Sequence, residues 1–232
     1  MAPYQAVFFD AGDTLLDFYT TGERVTRIVR EATGRHIPAE EAAPYFEAAF
    51  HHALGDAANG LLWVNDHARE WDYWRTYYAG WLAAAGVPSD PALVERLVED
   101  TIQVEIYAAF DDAAPTLEAL RAHGIGLVLI SNAFPSMQRI MQHLDLERHF
   151  DTCLYSCFVG HEKPQRAIFD LALQAANLPP AATCFVDDLP RNVEAATSLG
   201  IQGFLLDRWA RHRHSPLPRF ANLTEFRAVL GV

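Results

Sequence analysis

Hydrophobic and polar positions follow two rhythms along this chain. Five short apolar runs, Ala6 to Phe9, Gly126 to Ile130, Thr152 to Tyr155, Thr183 to Val186 and Gly203 to Leu206, each end near a polar residue or a turn and read as buried strands. Between the later four lie patterns of helical period, among them Gln165 to Ala176 and Arg191 to Leu199. Strand and helix thus alternate as a doubly wound parallel sheet requires. Residues 1–16 and 109–232 are expected to form one α/β unit of Rossmann-like type, and residues 17–108, helical in period and poor in strand pattern, a helical insertion of their own.

Within the insertion Trp71, Trp74, Tyr78 and Trp81 fall on one helical face. Such a stripe predicts helix-to-helix packing in preference to an aromatic platform for a substrate ring. Arg24, Arg27 and Arg30 could reach an anion, and an exposed helix face accounts for them equally well. Near the other end, Arg211-His212-Arg213-His214 with Pro216 and Pro218 predicts an exposed loop before a last helix, whose Asn222 and Glu225 have the spacing of a cap pair.

Composition narrows the class. The 232 residues carry 18 Lys plus Arg against 30 Asp plus Glu, a formal charge of −12, with 50% hydrophobic residues. That is a globular composition long enough to bury a substantial core. The acidic balance repels polyanions at long range and argues against nucleic acid as a main partner, leaving small phosphorylated metabolites open. Three cysteines at no zinc spacing argue for a reducing compartment. The opening Met1-Ala2-Pro3-Tyr4-Gln5 has no basic or long apolar stretch, and no run approaches the ~20 apolar residues that span a bilayer, so a cytoplasmic, non-membrane protein is expected. Monomer and homodimer stay equally open. Of the 18 basic residues all but one are Arg, and Lys163 is the only lysine. A sole lysine marks a place that needs a compact ammonium in preference to a planar guanidinium.

The strongest polar candidates stand where the strands end: Asp10 after the first, Ser131-Asn132 after the second, Asp187-Asp188 after the fourth. In open α/β sheets ligands bind at those carboxyl ends. Singly each is an ordinary turn or capping residue. Joined by Lys163 in Gly160-His161-Glu162-Lys163-Pro164 they form an ordered set. Other motifs fail: Gly124-Ile125-Gly126 lacks a third glycine, His161-Glu162 has no second His at zinc spacing, and no serine nucleophile elbow is present. Cys153 and Cys157 are expected to be packed, not reactive.

Phe9-Asp10-Ala11-Gly12-Asp13-Thr14-Leu15, Ser131-Asn132, Lys163-Pro164 and Phe185-Val186-Asp187-Asp188 resemble, in this order, the four motifs of the haloacid dehalogenase-like hydrolase superfamily. The resemblance covers the whole chain and implies a sheet of order 5-4-1-2-3, with residues 17–108 as a helical type 1 cap. It further implies Asp10 as the nucleophile that becomes an aspartyl phosphate, Ser131 and the Asn132 amide as holders of phosphoryl oxygens, and Lys163 as the charge that neutralises both nucleophile and phosphate. Magnesium would be held by Asp10, the Gly12 carbonyl and Asp188, with Asp187 orienting Lys163 or a metal-bound water and Asn192 orienting a water or the metal shell. Carboxylates crowded round a phosphate dianion need such a cation, and oxygen donors suit magnesium.

One position departs from the family's phosphatases. Two residues after the nucleophile, where they carry an acid/base aspartate, this chain has Gly12. Asp13 could take that role if the backbone turns after Gly12, although neighbouring side chains on an extended segment face opposite ways; His161 is a more remote substitute. The expected function is a magnesium-dependent phosphatase of a small metabolite. The alternatives are a 2-haloacid dehalogenase, which Ser131-Asn132-Ala133-Phe134-Pro135 resembles, and a non-catalytic phosphate-binding protein. A phosphonate-cleaving relative needs a second lysine in the cap, and the chain has none.

Overall fold

A computed structural model describes residues 4–17, 21–38 and 64–232. Met1 to Pro3, and residues 18–20 and 39–63 of the insertion, lie outside the described residues. The α/β unit contains β1 (Ala6–Phe9), β2 (Gly126–Ser131), β3 (Thr152–Tyr155), β4 (Thr183–Asp187), β5 (Gln202–Leu206) and β6 (Arg219–Phe220). They form one sheet in the order β3-β2-β1-β4-β5-β6, parallel at every junction. Read from the other side, this is the expected 5-4-1-2-3 order with β6 added at its edge. A two-residue strand has no period to read, so the chain before the last helix was expected to be loop alone. The Leu205 N–H donates to the Pro218 carbonyl and the Asp207 N–H to that of Phe220, each at 2.8 Å, and these bonds set β6 in place.

The apolar runs are continuous because both faces of the sheet are covered. Val7 and Phe9 of β1 face a core shared with the helices Ala113–Ala122, Ser136–His143 and Leu223–Leu230, whereas Ala6 and Phe8 face Arg166–Ala176 and Pro190–Ser198. Gly203 permits the last of these contacts: a Cβ there would lie 2.6 Å from Val193 Cγ1 and 2.8 Å from the Val193 carbonyl. Asn222 accepts from the Glu225 N–H at 2.9 Å while Glu225 accepts from the Ala221 N–H, the reciprocal cap its spacing suggested.

Three helices of the insertion, α1 (Thr21–Thr33), α2 (His67–Ala84) and α3 (Pro91–Ile102), pack round a separate apolar cluster. The buried face of α2 is Glu70, Trp74, Tyr78, Trp81 and Leu82. The aromatic stripe is therefore core, with one correction: Trp71 sits on its flank under the Arg75 guanidinium, 5.2 Å from the ring centre, and the buried position belongs to Glu70. Among the described residues no helix is long and apolar enough to cross a membrane.

The two apolar units meet in two ways. The chain leaves the sheet unit and returns to it side by side: Leu16 bridges Ala109 in antiparallel fashion, the Asp17 N–H donates to Ala108 and the Phe110 N–H to Leu15. Beyond β2, Phe134 inserts among the insertion's aromatics, 4.9 Å from Trp74 and 5.1 Å from Tyr73. Beside it the buried Glu70 carboxylate accepts from the Ser136 N–H at 2.9 Å and the Ser136 hydroxyl at 2.5 Å. Elsewhere Arg208 forms a two-pronged ion pair with Asp112 at 2.8 and 3.1 Å, donates to the Thr14 carbonyl and stacks on Phe110, fastening the loop after β1 from behind.

Burial raises the Glu70 pKa, only partly offset by the Ser136 bonds. A folded pKa above the unfolded value means that the contact contributes most below the unfolded value and loses its contribution as pH rises through the folded one. Glu70→Gln, which imitates the protonated acid, is expected to flatten the dependence of unfolding free energy on pH above about 4.5, and Glu70→Ala to cost about 2 kcal/mol in urea unfolding by leaving two buried donors without an acceptor. Arg208→Ala should cost about 3 kcal/mol by the same measurement, because Asp112 keeps a largely buried charge without its partner.

Candidate active site

Register brings the strand-end residues together. Phe9 lies opposite Leu129 of β2 and Val186 of β4, so one step further Asp10 stands between Ile130 and Asp187, with Ser131 next along. The Asp10 N–H continues the ladder to the Val186 carbonyl at 2.9 Å. The lone lysine arrives from the loop between β3 and the helix Arg166–Ala176, across a cis bond to Pro164. Its ammonium donates to Asp10 Oδ1 at 2.5 Å and Asp187 Oδ2 at 2.8 Å, all three groups being buried.

Each partner is itself held. The Asn132 side chain accepts from the Lys163 N–H and donates to the Lys163 carbonyl, both at 2.7 Å, so it fixes the lysine loop and leaves only its backbone amide for a ligand. Asp187 accepts further bonds from the Leu189 N–H at 2.8 Å and from the Asn192 amide to both oxygens at 3.1 Å. Asn192 thus acts on the carboxylate that orients Lys163. Its own Oδ1 is buried with no hydrogen-bond partner.

The electrostatics are those of a crowded anion cluster. Burial lowers the Lys163 pKa, but Asp10 and Asp187 outweigh it and hold the ammonium above its ordinary value. Burial pushes the Asp10 carboxyl up to about 6 against the pull of Lys163, and Asp187 adds to the rise. Asp188 is pushed up to about 9 by burial and by its neighbours Asp187, Asp10 and Asp13. Unlike Asp10 and Asp187, Asp188 makes no hydrogen bond or ion pair among the described residues. The backbone shows the same contrast: the Ala11 carbonyl collects the N–H groups of Thr14, Leu15 and Leu16, whereas no backbone N–H of the described residues donates to that of Gly12. Among the described residues no three acidic, His or Cys side chains by themselves enclose a cation.

Asp13 has φ +55°, so the chain does turn into the left-handed region immediately after Gly12, and strand alternation no longer fixes where the next side chain points. The Asp13 carboxylate lies within electrostatic reach of Asp188 and 3.8 Å from the Arg211 guanidinium. His161 is exposed. Cys153 and Cys157 are packed, with thiols pushed up to about 12 by burial.

Glu70, Phe134, Arg208 and Arg211, which shape the surroundings of this crevice, were not singled out for it by the sequence. For Glu70 a signal existed: at spacing of four and eight from Trp74 and Tyr78, it is an acid standing on an apolar face.

The model of the haloacid dehalogenase-like hydrolase family matches residues 4–200. The GMP/IMP nucleotidase YrfG of Escherichia coli (strain K12) is 28% identical over 199 residues, covering 84% of this chain and 79% of that protein. The haloacid dehalogenase-like hydrolase domain-containing protein 3 of Mus musculus is 31% identical over 143 residues, 60% of this chain and 56% of that protein. Among solved structures the L-2-haloacid dehalogenase from Xanthobacter autotrophicus superposes with a TM-score of 0.74 over 98% of both chains at 17% identity, a likeness of fold. A family match running from before β1 to beyond β4, on a parallel sheet whose strand ends gather Asp10, Lys163 and Asp187, leads to one conclusion: this chain belongs to the haloacid dehalogenase-like hydrolases.

Proposed function

We propose that this hydrolase is a magnesium-dependent phosphatase of a small phosphorylated metabolite, working through an aspartyl-phosphate at Asp10, with residues 17–108 as its cap. The observation that carries the reading is the contrast between paired and unpaired acids: Lys163 makes direct ion pairs with Asp10 and Asp187, while Asp188 stands beside them with no ion pair or hydrogen bond among the described residues and feels the ammonium only at longer range. Such an excess suits a site completed by a divalent cation and a phosphate, and the relatedness to a protein named as a nucleotidase supports a phosphate ester. Attack on the carbon of a halo acid asks for no such second acid, which weighs against the dehalogenase alternative.

Asp10, the Gly12 carbonyl and Asp188 would hold magnesium. When bound it would polarise a phosphoryl oxygen and offset the charge of the cluster. The chain's own groups supply the rest. An Asp10 carboxylate oxygen attacks phosphorus, the bond to the ester oxygen breaks, and that oxygen leaves with the electron pair and takes a proton. Lys163, Ser131 and the Asn132 N–H stabilise the negative phosphoryl oxygens. Water then attacks phosphorus, cleaving the bond to the Asp10 oxygen and restoring the carboxylate with release of phosphate. Gly12 has no side chain to carry the protons of these two steps. Asp13, turned by its left-handed backbone and next to Asp188, is assigned that role.

Asp10→Asn is expected to abolish magnesium-dependent phosphate release from an aryl phosphate, and Lys163→Arg to come close, since a planar fork does not replace a point charge between two carboxylates. Binding of beryllium fluoride without any release by the native chain would instead identify the non-catalytic alternative. Asp13→Asn should slow poor leaving groups by about 10²–10⁴-fold and good ones much less, and Gly12→Asp should favour poor leaving groups in the opposite sense. Equal effects on both kinds of ester would remove Asp13 from the mechanism.

A further inference from the structure

The arginines of α1, which the proposed chemistry does not use, line a cavity of about 430 Å³ between α1 and the returning segment at Ile106. Arg24, Arg27, Arg30 and His36 surround it, with Glu23 as the acid on its wall. The volume falls within the range of small-molecule pockets. Arg24 is already anchored: it is largely buried, 3.3 Å from Asp100, and its guanidinium lies 5.4 Å from the Tyr107 ring centre. Arg27 and Arg30 are exposed, and no acid among the described residues pairs with them. Arg30 belongs to the last turn of α1, where positive charge suits the helix dipole. Arg27 has only Glu23, four positions earlier on the same wall, to offset it at helical spacing, and like charges one turn apart repel. In a chain of formal charge −12, a concave surface with three guanidinium groups and an imidazole is a local reversal of sign.

We infer that this cavity binds a small metabolite with at least two negative charges on phosphate or carboxylate groups. The Arg27 and Arg30 forks take the anionic groups, Arg24 forms the fixed floor, and Glu23 accepts from a hydroxyl or amino group of the ligand. Among the described residues none that lines the cavity belongs to the cluster of Asp10, Lys163 and Asp187, so the inference stands whether or not that cluster turns over phosphate esters.

The test is calorimetric titration of the full chain, at low ionic strength and with divalent metal chelated, using inorganic pyrophosphate and separately citrate. One saturable site per chain is expected for at least one probe; pyrophosphate alone assigns phosphate chemistry and citrate alone carboxylate chemistry. Affinity should survive Asp10→Asn, fall roughly tenfold or more in an R27Q/R30Q double variant, and fall with added salt. An R166Q/R213Q variant removes the same charge at exposed positions elsewhere and should bind as the native chain does. Absence of saturable binding by either probe in the millimolar range, full affinity in R27Q/R30Q, loss in Asp10→Asn, or equal weakening in R166Q/R213Q would each overturn the assignment.

Discussion

A single ammonium held between two carboxylates governs this molecule. The parallel sheet delivers Asp10 and Asp187 to the same end at adjacent positions, an arrangement that like charges would resist if nothing stood between them. Lys163 stands there, and the groups around it serve to keep it there. Asn132 grips its backbone from the end of β2, and Asn192 and the Leu189 amide hold the far carboxylate. Four distant stretches of chain are thus tied through one residue. Breaking a buried pair costs far more than the pair contributes on balance, so the arrangement specifies geometry more than it adds stability.

Much of this was legible in the sequence, for definable reasons. Strands covered on both faces read as uninterrupted apolar runs, and their polar ends mark the crevice without further information. A chain that uses Arg at every basic position except one exposes that exception to simple counting. What stayed hidden was non-local or broke a local rule. Arg208 and Asp112 are 96 positions apart, and no periodicity connects them. Glu70 is buried against Ser136, a residue 66 positions away that no local pattern connects to it, with His67 and Trp74 adding support from its own helix. The turn of the chain at Asp13 rests on one backbone torsion that a non-glycine residue seldom adopts. The sixth strand was too short to have a rhythm.

The charge distribution reconciles an acidic protein with anionic ligands. Long-range repulsion follows net charge, but binding is decided within a few ångströms, where burial weakens screening by water. The local positive charge at the strand ends is a single buried ammonium among carboxylates that outnumber it. On α1 it is a row of forks facing outward. These are different solutions, the first rigid and enclosed by carboxylates, the second open to solvent.

The seam at Leu16 and Ala109 has a consequence of its own. Because the two crossings lie in contact, the sheet beneath experiences the inserted segment as a short loop whatever its length. The insert is held at a second place, by Phe134 among its aromatics and by the bonds from Ser136 to Glu70, so the neck does not fix its attitude alone. Length added to the insert away from these two places therefore leaves the strand that bears Asp10 undisturbed.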